Sequence, residues 1–459
     1  MNRTAAPAEP SKKAPEGTLS GWGRIPLPGS ERFGEDLEGL SASADLCRGL
    51  GRSYGDSSLP ARPTDRVVNT VLADRLLSFD PASGRVRAEA GFSVRELYRV
   101  FLKQGWFTPV TPGTSFVTLG GMVASDVHGK NHHSAGTIGR HITALRVRVA
   151  DGRVIDCSPQ QEPELFWGTI GGMGLTGHVL EVELQLEAVP SPWILQESER
   201  IPNIDTFLER LEATAHDWPM TVGWIDCVTQ GPSLGRGLLM CGRWARPEEA
   251  PKAFPRQLPR LKLPFVLPDF VLGPLSVRAF NTAFYWKHIP QKKRGIVHPE
   301  TYFYPLDAIL DWNKAYGKRG FTQYQAVLPK DNARRSARAF LELLTREGGA
   351  SFLCVIKDCG PEGSGLLSFP RPGVSVALDI KMTDRTQHLI DALNAFVIAE
   401  GGRIYLTKDQ LTRPEDLRRM EPRLDRFTAL RRKWDPQLRI RSAQSVRLLG
   451  DPPLPETTP

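Results

Sequence analysis

Three glycine-rich loops between Gly49 and Gly177 constrain this chain more than any other feature. The first, GLGRSYGDSS at Gly49 to Ser58, sets three glycines and three serines around Arg52, Tyr54 and Asp56, just ahead of a strand at Val67 and Val68. The second, TPGTSFVTLGGMVASDVHGKNHHSAG at Thr111 to Gly136, repeats glycines and hydroxyls and holds three histidines within six positions. The third, GTIGGMGLTGHVLEVELQ from Gly168, has five glycines running directly into an alternating strand. Free backbone amides in such loops bind a diphosphate, and repeated glycine lets the main chain lie flat against a ligand. None has the order strand, G-x-G-x-x-G, helix and distant acid, and G-x-x-x-x-G-K-[ST] is absent. A nucleotide held by these loops therefore requires a different fold.

The segments around the loops predict mixed structure. From Trp22 to Pro190, Arg85 to Ala90 alternates charged with apolar residues, and Ser93-Val94-Arg95-Glu96 forms a capping box opening a helix with the apolar face Val94, Leu97, Val100 and Phe101. Leu145, Val147 and Val149 alternate with arginines, and Asp151-Gly152 supplies the positive-φ pair of a hairpin before Val154 and Ile155. Leu180, Val182, Leu184 and Leu186 alternate with Glu181, Glu183, Gln185 and Glu187, giving one buried and one wet face. From Ser191 to Gly401 helices at Ile204 to Ala213 and Ala333 to Arg346 alternate with strands near Thr221 to Cys227, Phe321 to Leu328 and Ser375 to Lys381. The fold class is α+β. Pro251 to Gly295, with five prolines before Gly273, reads as a long irregular loop: a lid over a substrate site, a membrane-touching segment or a disordered insertion. Tyr405 to Leu449 reads as helical with a solvated arginine face, packing back on the first domain.

A chain of 459 residues is long enough for two domains, one interrupted by the other. The expected division is a disordered lead over 1–17, a first domain over 18–190, a second over 191–402 and a segment over 403–459 completing the first. The net charge of +8 is 59 basic minus 51 acidic residues, with no nucleic-acid-binding signature, so no nucleic-acid partner is expected. Cys47, Cys157, Cys227, Cys241, Cys354 and Cys359 form no C-x-x-C pair and read as separate reduced thiols of a cytoplasmic protein. The polar, Pro/Ala-rich first fifteen residues lack a secretory h-region, and no stretch reaches the roughly 18 apolar residues a membrane span needs. His128, His132 and His133 raise the question of a metal, but adjacent His132 and His133 diverge in an extended chain and Asp126 is the only nearby carboxylate. No metal is expected.

Seven motifs in order, LSGWGR at Leu19, GLGRSYGD at Gly49, HGKNHHSAG at His128, LFWGTIGGMGLTG at Leu165, WNKAYGKRGFTQYQ at Trp312, LSFPRPG at Leu367 and YLTKD at Tyr405, resemble the vanillyl-alcohol-oxidase/p-cresol-methylhydroxylase class of FAD enzymes. Within it the chain is most similar to the decaprenylphosphoryl-β-D-ribose 2′-oxidases, over nearly everything after Gly17. The resemblance implies a two-part FAD domain (the PCMH-type fold) enclosing a substrate domain. It implies that Gly51, Arg52, Ser53, Tyr54, Gly55, Asp56, Pro112, Gly113, Thr114, Thr118, Gly120, Gly121, His128, Asn131, Ser134, Gly136, Gly174, Gly177 and Tyr405 bind the flavin. Related oxidases with covalent flavin carry a histidine where this chain has Arg52, so noncovalent FAD is expected.

Lys408 alone reads as a solvated charge; the YLTKD match implies instead a lysine beside flavin and substrate, stabilising charge on the reduced isoalloxazine. Tyr54 and His128 are implied hydrogen-bonding partners of the sugar hydroxyl. Gln323, Gln325, Lys357, Ala377 and Lys408 match the family's substrate pocket, with two departures: Ala377 stands where a cysteine is usual and Ser375 where an asparagine is usual. The implied reaction is oxidation of the C2 hydroxyl of a polyprenyl-phosphoryl ribose, with an NAD-dependent short-chain reductase completing an epimerisation to arabinose for the cell envelope. Peripheral membrane contact suits a lipid-linked substrate. An alditol or aldonolactone oxidase acting on a soluble polyol is the alternative, and a flavin- or sugar-binding protein without catalysis is a third reading.

Overall fold

The computed structural model describes residues 17–452. The expected disordered lead lies, Gly17 apart, outside the described residues. Its N-terminal half is organised by the alternating strands: Val154–Cys157, Ile142–Arg148, His178–Gln185, Arg85–Glu89 and Leu76–Asp80 form, in that spatial order, a five-stranded antiparallel sheet. Val182 and Leu184 are fully buried on its inner face, while Glu181 and Glu183 stay half-buried opposite. Beside it, Glu31–Phe33, Val67–Asn69 and Leu46–Arg48 form a small parallel sheet that leads into the first glycine-rich loop.

Two local expectations are corrected. Helix Val94–Phe101 starts at Ser93, whose side chain accepts from the Glu96 amide, but its buried face includes Tyr98, and Val100 is exposed; the Glu96 carboxylate pairs with Arg99 rather than closing the box. At the hairpin tip only Gly152 has positive φ, because strand pairing stops at Arg148 and Val154 and leaves a five-residue turn in place of a two-residue one.

Residues 194–404 form an eight-stranded sheet, every pair antiparallel, in the order Lys292–Val297, Ile194–Ile201, Gly237–Trp244, Met220–Ile225, Cys354–Cys359, Gly373–Lys381, Phe321–Pro329 and Arg403–Ile404. One face carries Ile356, Val374, Val376, Leu378, Tyr324, Ala326 and Leu328. Helices Ile204–Ala215, Ala333–Arg346 and Thr386–Ala399 cover it through Phe207, Phe340, Leu341, Leu389 and Leu393. Period-two alternation sends the intervening side chains to the opposite face.

The stretch expected as one long irregular loop is more ordered than its prolines suggest. Its prolines are confined largely to 251–268, after which come a 3-10 turn Asp269–Leu272, the fourteen-residue helix Pro274–Lys287 and the edge strand Lys292–Val297. The tail forms helices Pro414–Met420, Leu424–Trp434 and Ala443–Leu449. Its arginines are not uniformly solvated: Arg431 is buried in a two-pronged pair with Asp451, at 2.7 Å to each oxygen, and Arg441 is buried against Asp65 at 3.1 Å. The Ala443 amide donates to the Leu59 carbonyl and the Arg441 amide to that of Asp45, tying the tail to the first sixty-odd residues.

Candidate active site

The polar face of the eight-stranded sheet forms one wall. Register sets Gln323 opposite Asp379, Gln325 opposite Ala377, and Lys357 opposite Ser375, so these six share a face across three strands. Gln323 Nε2 donates to Asp379 Oδ1 at 2.5 Å and the Tyr316 hydroxyl donates to Oδ2 at 2.9 Å. Gln325 Nε2 donates to Ser375 Oγ at 3.1 Å and to His128 Nε2 at 2.9 Å, linking the sheet to the second glycine-rich loop.

The glycine-rich loops form the facing wall. A Cβ on Gly55 would strike the Asp409 carbonyl oxygen, and one on Gly49 would strike Thr118 Oγ1, so both glycines exist for close approach. Thr118 caps helix Leu119–Ala124, accepting from the Gly121 amide at 3.3 Å. The Tyr54 amide donates to the Thr407 carbonyl, which brings the YLTKD turn onto the first loop, and Lys408 Nζ lies 4.0 Å from the centre of the Tyr54 ring. Tyr405 donates to the Ser125 carbonyl at 2.9 Å, with its ring 5.1 Å from that of His128. Arg52 lies over Trp22 at 3.9 Å and near Phe116, which occupies its guanidinium in stacking.

Burial dominates the electrostatics. It pushes Lys408 down to about 7, with Asp379 opposing and Lys357 adding to the fall. It likewise pushes Lys130 down to about 7, lowers Lys357 and raises Asp379 to about 6. The Tyr54 hydroxyl moves well above its ordinary value through burial and then Asp379. Burial, Lys357 and His132 keep His128 neutral, and with Nε2 accepting from Gln325 its proton rests on Nδ1.

The predicted site residues separate into those that converge and those held elsewhere. Tyr54, His128, Gln323, Gln325, Tyr405 and Lys408 converge through the contacts above, and Ala377 and Lys357 share their sheet face. Gly51 takes φ +63° in the first loop, beside Ser53. Pro112, Thr114 and Gly120 remain half-buried; Gly113 and Gly174 keep open space around them, whereas a Cβ on Gly121 would crowd Thr118 Oγ1 at 3.2 Å. By contrast, both Asp56 oxygens are taken by Arg447, at 2.7 and 2.9 Å, so the first loop offers its backbone rather than this carboxylate. Asn131 donates to the Pro109 carbonyl and Ser134 to the Pro219 carbonyl; Gly136 makes room for Arg140 and Gly177 for Val147.

His132 and His133 lie in a one-turn helix, not an extended chain. His132 Nδ1 accepts from the Gly360 amide, and His133 pairs with Asp358 at 3.1 Å. Three residues of the site escaped the sequence reading. Asp379 was signalled by its place two residues beyond Ala377 in the alternating strand. Lys130, inside HGKNHH, donates to the Phe303 carbonyl at 2.9 Å. Asp307, which takes the amide and hydroxyl of Ser115, carried no local signal.

Among the described residues, several buried polar atoms at or beside these loops have no protein partner: His128 Nδ1, Arg52 Nε, Ser58 Oγ and Gln410 Oε1. Together with the open glycine surfaces they fit a large ligand rich in hydrogen-bonding groups, as FAD is. The comparisons agree. Residues 45–158 match the FAD binding domain family. The chain is 31% identical over 449 residues, 94% of its own length and 97% of the relative's, to the decaprenylphosphoryl-beta-D-ribose oxidase of Mycolicibacterium smegmatis. It is 29% identical over 153 residues, 34% of the relative, to the L-gulonolactone oxidase of Mus musculus. It is 26% identical over 220 residues, 40% of the relative, to the D-arabinono-1,4-lactone oxidase of Yarrowia lipolytica. With an α+β fold, glycine loops suited to FAD and a match over 94% of its length, the chain belongs to the decaprenylphosphoryl-β-D-ribose oxidase family of FAD-dependent oxidoreductases that act on CH–OH groups.

Proposed function

We propose that the enzyme oxidises the C2 hydroxyl of a polyprenyl-phosphoryl-β-D-ribose to the 2-keto sugar, the first half of an epimerisation that an NAD-dependent reductase completes. The observation that carries this reading is the enclosed set Lys130, Lys357 and Lys408, whose charges interact and whose pKa values burial lowers. Cations held at that cost favour an anionic ligand, and the Gln323 and Gln325 amides suit its hydroxyls. The Mycolicibacterium smegmatis relative's name supports a lipid-linked ribose. Residues 18–190 and 403–459 together would form the FAD domain, and 191–402 the substrate domain.

FAD, when bound, supplies the hydride acceptor. Tyr54 and His128 hold protons at the phenol oxygen and Nδ1 and orient the C2 hydroxyl; Lys408 in its ammonium form places positive charge where negative charge develops. The flavin is noncovalent, because Arg52 is stacked on Trp22 at the position of the linking histidine; acid precipitation should leave the pellet colourless. To test the site of oxidation, the product is reduced with borodeuteride. Deuterium at C2 of a ribose and arabinose mixture is expected, and label elsewhere, or turnover of free polyols alone, would overturn the assignment.

A further inference from the structure

The segment that packs beside the Tyr54 cluster also carries much of the exposed apolar surface of the described residues. Among the described residues, eight of the fifteen exposed large apolar side chains (Phe254, Leu261, Phe265, Phe270, Leu275, Phe280, Trp286 and Ile289) fall between 254 and 289. Phe270, Leu275 and Ile289 each leave more than four-fifths of their surface open, at 81%, 84% and 81%. A cluster of this kind on a folded surface marks an interaction site. The orientation of helix Pro274–Lys287 is fixed from inside: Val277, Asn281 and Tyr285 are buried, and the Asn281 amide donates to Asp226 and to the Ser351 carbonyl. Leu275, Arg278, Ala279, Ala283 and Trp286 then line one open, shallow groove.

Charge selects the partner. Residues 251–295 hold nine Lys and Arg against the single acid Asp269, an excess of +8 equal to the net charge of the whole chain. Arg260 and Lys292 are paired with Glu300 and Glu197, whereas Arg278 and Lys287 stand on the same helix as Leu275 and Trp286. Such a surface repels a second copy of itself and attracts an anionic one. The inner side of the same segment meets the site: Leu272 packs on the Tyr54, Tyr316 and Phe321 cluster, and rings run from Phe280 through Phe352 and Tyr316 to Phe321 and Tyr54.

We propose that residues 261–289 form a monotopic foot that docks on an anionic phospholipid bilayer, seating Phe270, Leu275 and Trp286 among the acyl chains with Arg278 and Lys287 at the headgroups, so that a lipid-linked sugar enters the site directly from the membrane. Apolar burial and headgroup attraction together give the reversible binding of an interfacial helix. The proposal rests on the lipid-linked substrate reading for its purpose, and on the surface alone for the docking.

The test is co-sedimentation of the full-length, FAD-loaded protein with vesicles of phosphatidylcholine alone or with 30% phosphatidylglycerol (about that fraction, to set a negative surface potential). Binding to the anionic vesicles, weakened by salt, is expected. The variant F270S/L275S/W286S and the variant R278E/K287E should each lower the partition coefficient at least about tenfold while bleaching with a short-chain soluble analogue is unchanged. Equal binding to both vesicles, no binding, or variants that change only the oligomeric state in light scattering would overturn the proposal. Vesicle binding without bleaching by any prenyl-phosphoryl ribose would instead overturn the substrate reading and leave the docking surface standing.

Discussion

Lys408 sits over the Tyr54 ring with Asp379 as its opposing charge, and its chemistry depends on staying protonated despite burial. Its pKa of about 7 lies in the free enzyme, the state reported by kcat/KM. If the ammonium is the active form, kcat/KM falls as pH rises through about 7; a rise over the same range would make the free amine the active form. Asp379 raises Lys408, so Asp379→Asn should move that limb to lower pH, a shift that a purely structural role would not produce. Lys408→Ala should slow flavin reduction by roughly 10²–10³-fold with FAD still bound, the loss expected when one charge-stabilising group is removed. At this scale the sequence was legible where motif and register coincide, as at Gln323, Gln325 and Lys408. The pairing of both Asp56 oxygens with Arg447, almost four hundred residues away, was not legible from its loop position.

Elements were legible where a local rule governs them. Helix Ala333–Arg346 has the bounds its periodicity predicts, since its apolar face meets the sheet without competition. The helix at Pro274–Lys287 was hidden because the prolines of 251–268 dominate the composition and its own outer face is apolar, which blurs the amphipathic signal. Two substitutions test how the elements are joined. Arg447→Met leaves Asp56 and Asp409 buried without their partner and should cost about 3 kcal/mol of stability, read from the denaturant midpoint. Gly55→Ala forces the first loop away from Asp409 and should abolish retention of FAD through gel filtration.

On the scale of the whole molecule, the polar face of the eight-stranded sheet meets glycine-rich loops from a distant part of the chain, and the tail closes the arrangement through Ala443 to Leu59, Arg441 to Asp65 and Arg447 to Asp56. A chain ending at residue 402 should therefore fail to bind FAD and accumulate as aggregate, checked by flavin fluorescence of the soluble fraction. The α+β class followed from alternation and glycine turns, but the meeting of sheet face and loops did not, because contacts such as Gln325 to His128 span 197 residues and leave no trace in local pattern. The most direct test of the account is the visible spectrum of the FAD-loaded enzyme, mixed anaerobically with a prenyl-phosphoryl ribose analogue. Rapid bleaching of the flavin band, slowed in Lys408→Ala, is the predicted result. A band that persists with the prenyl-phosphoryl ribose but bleaches with a soluble polyol would contradict the account.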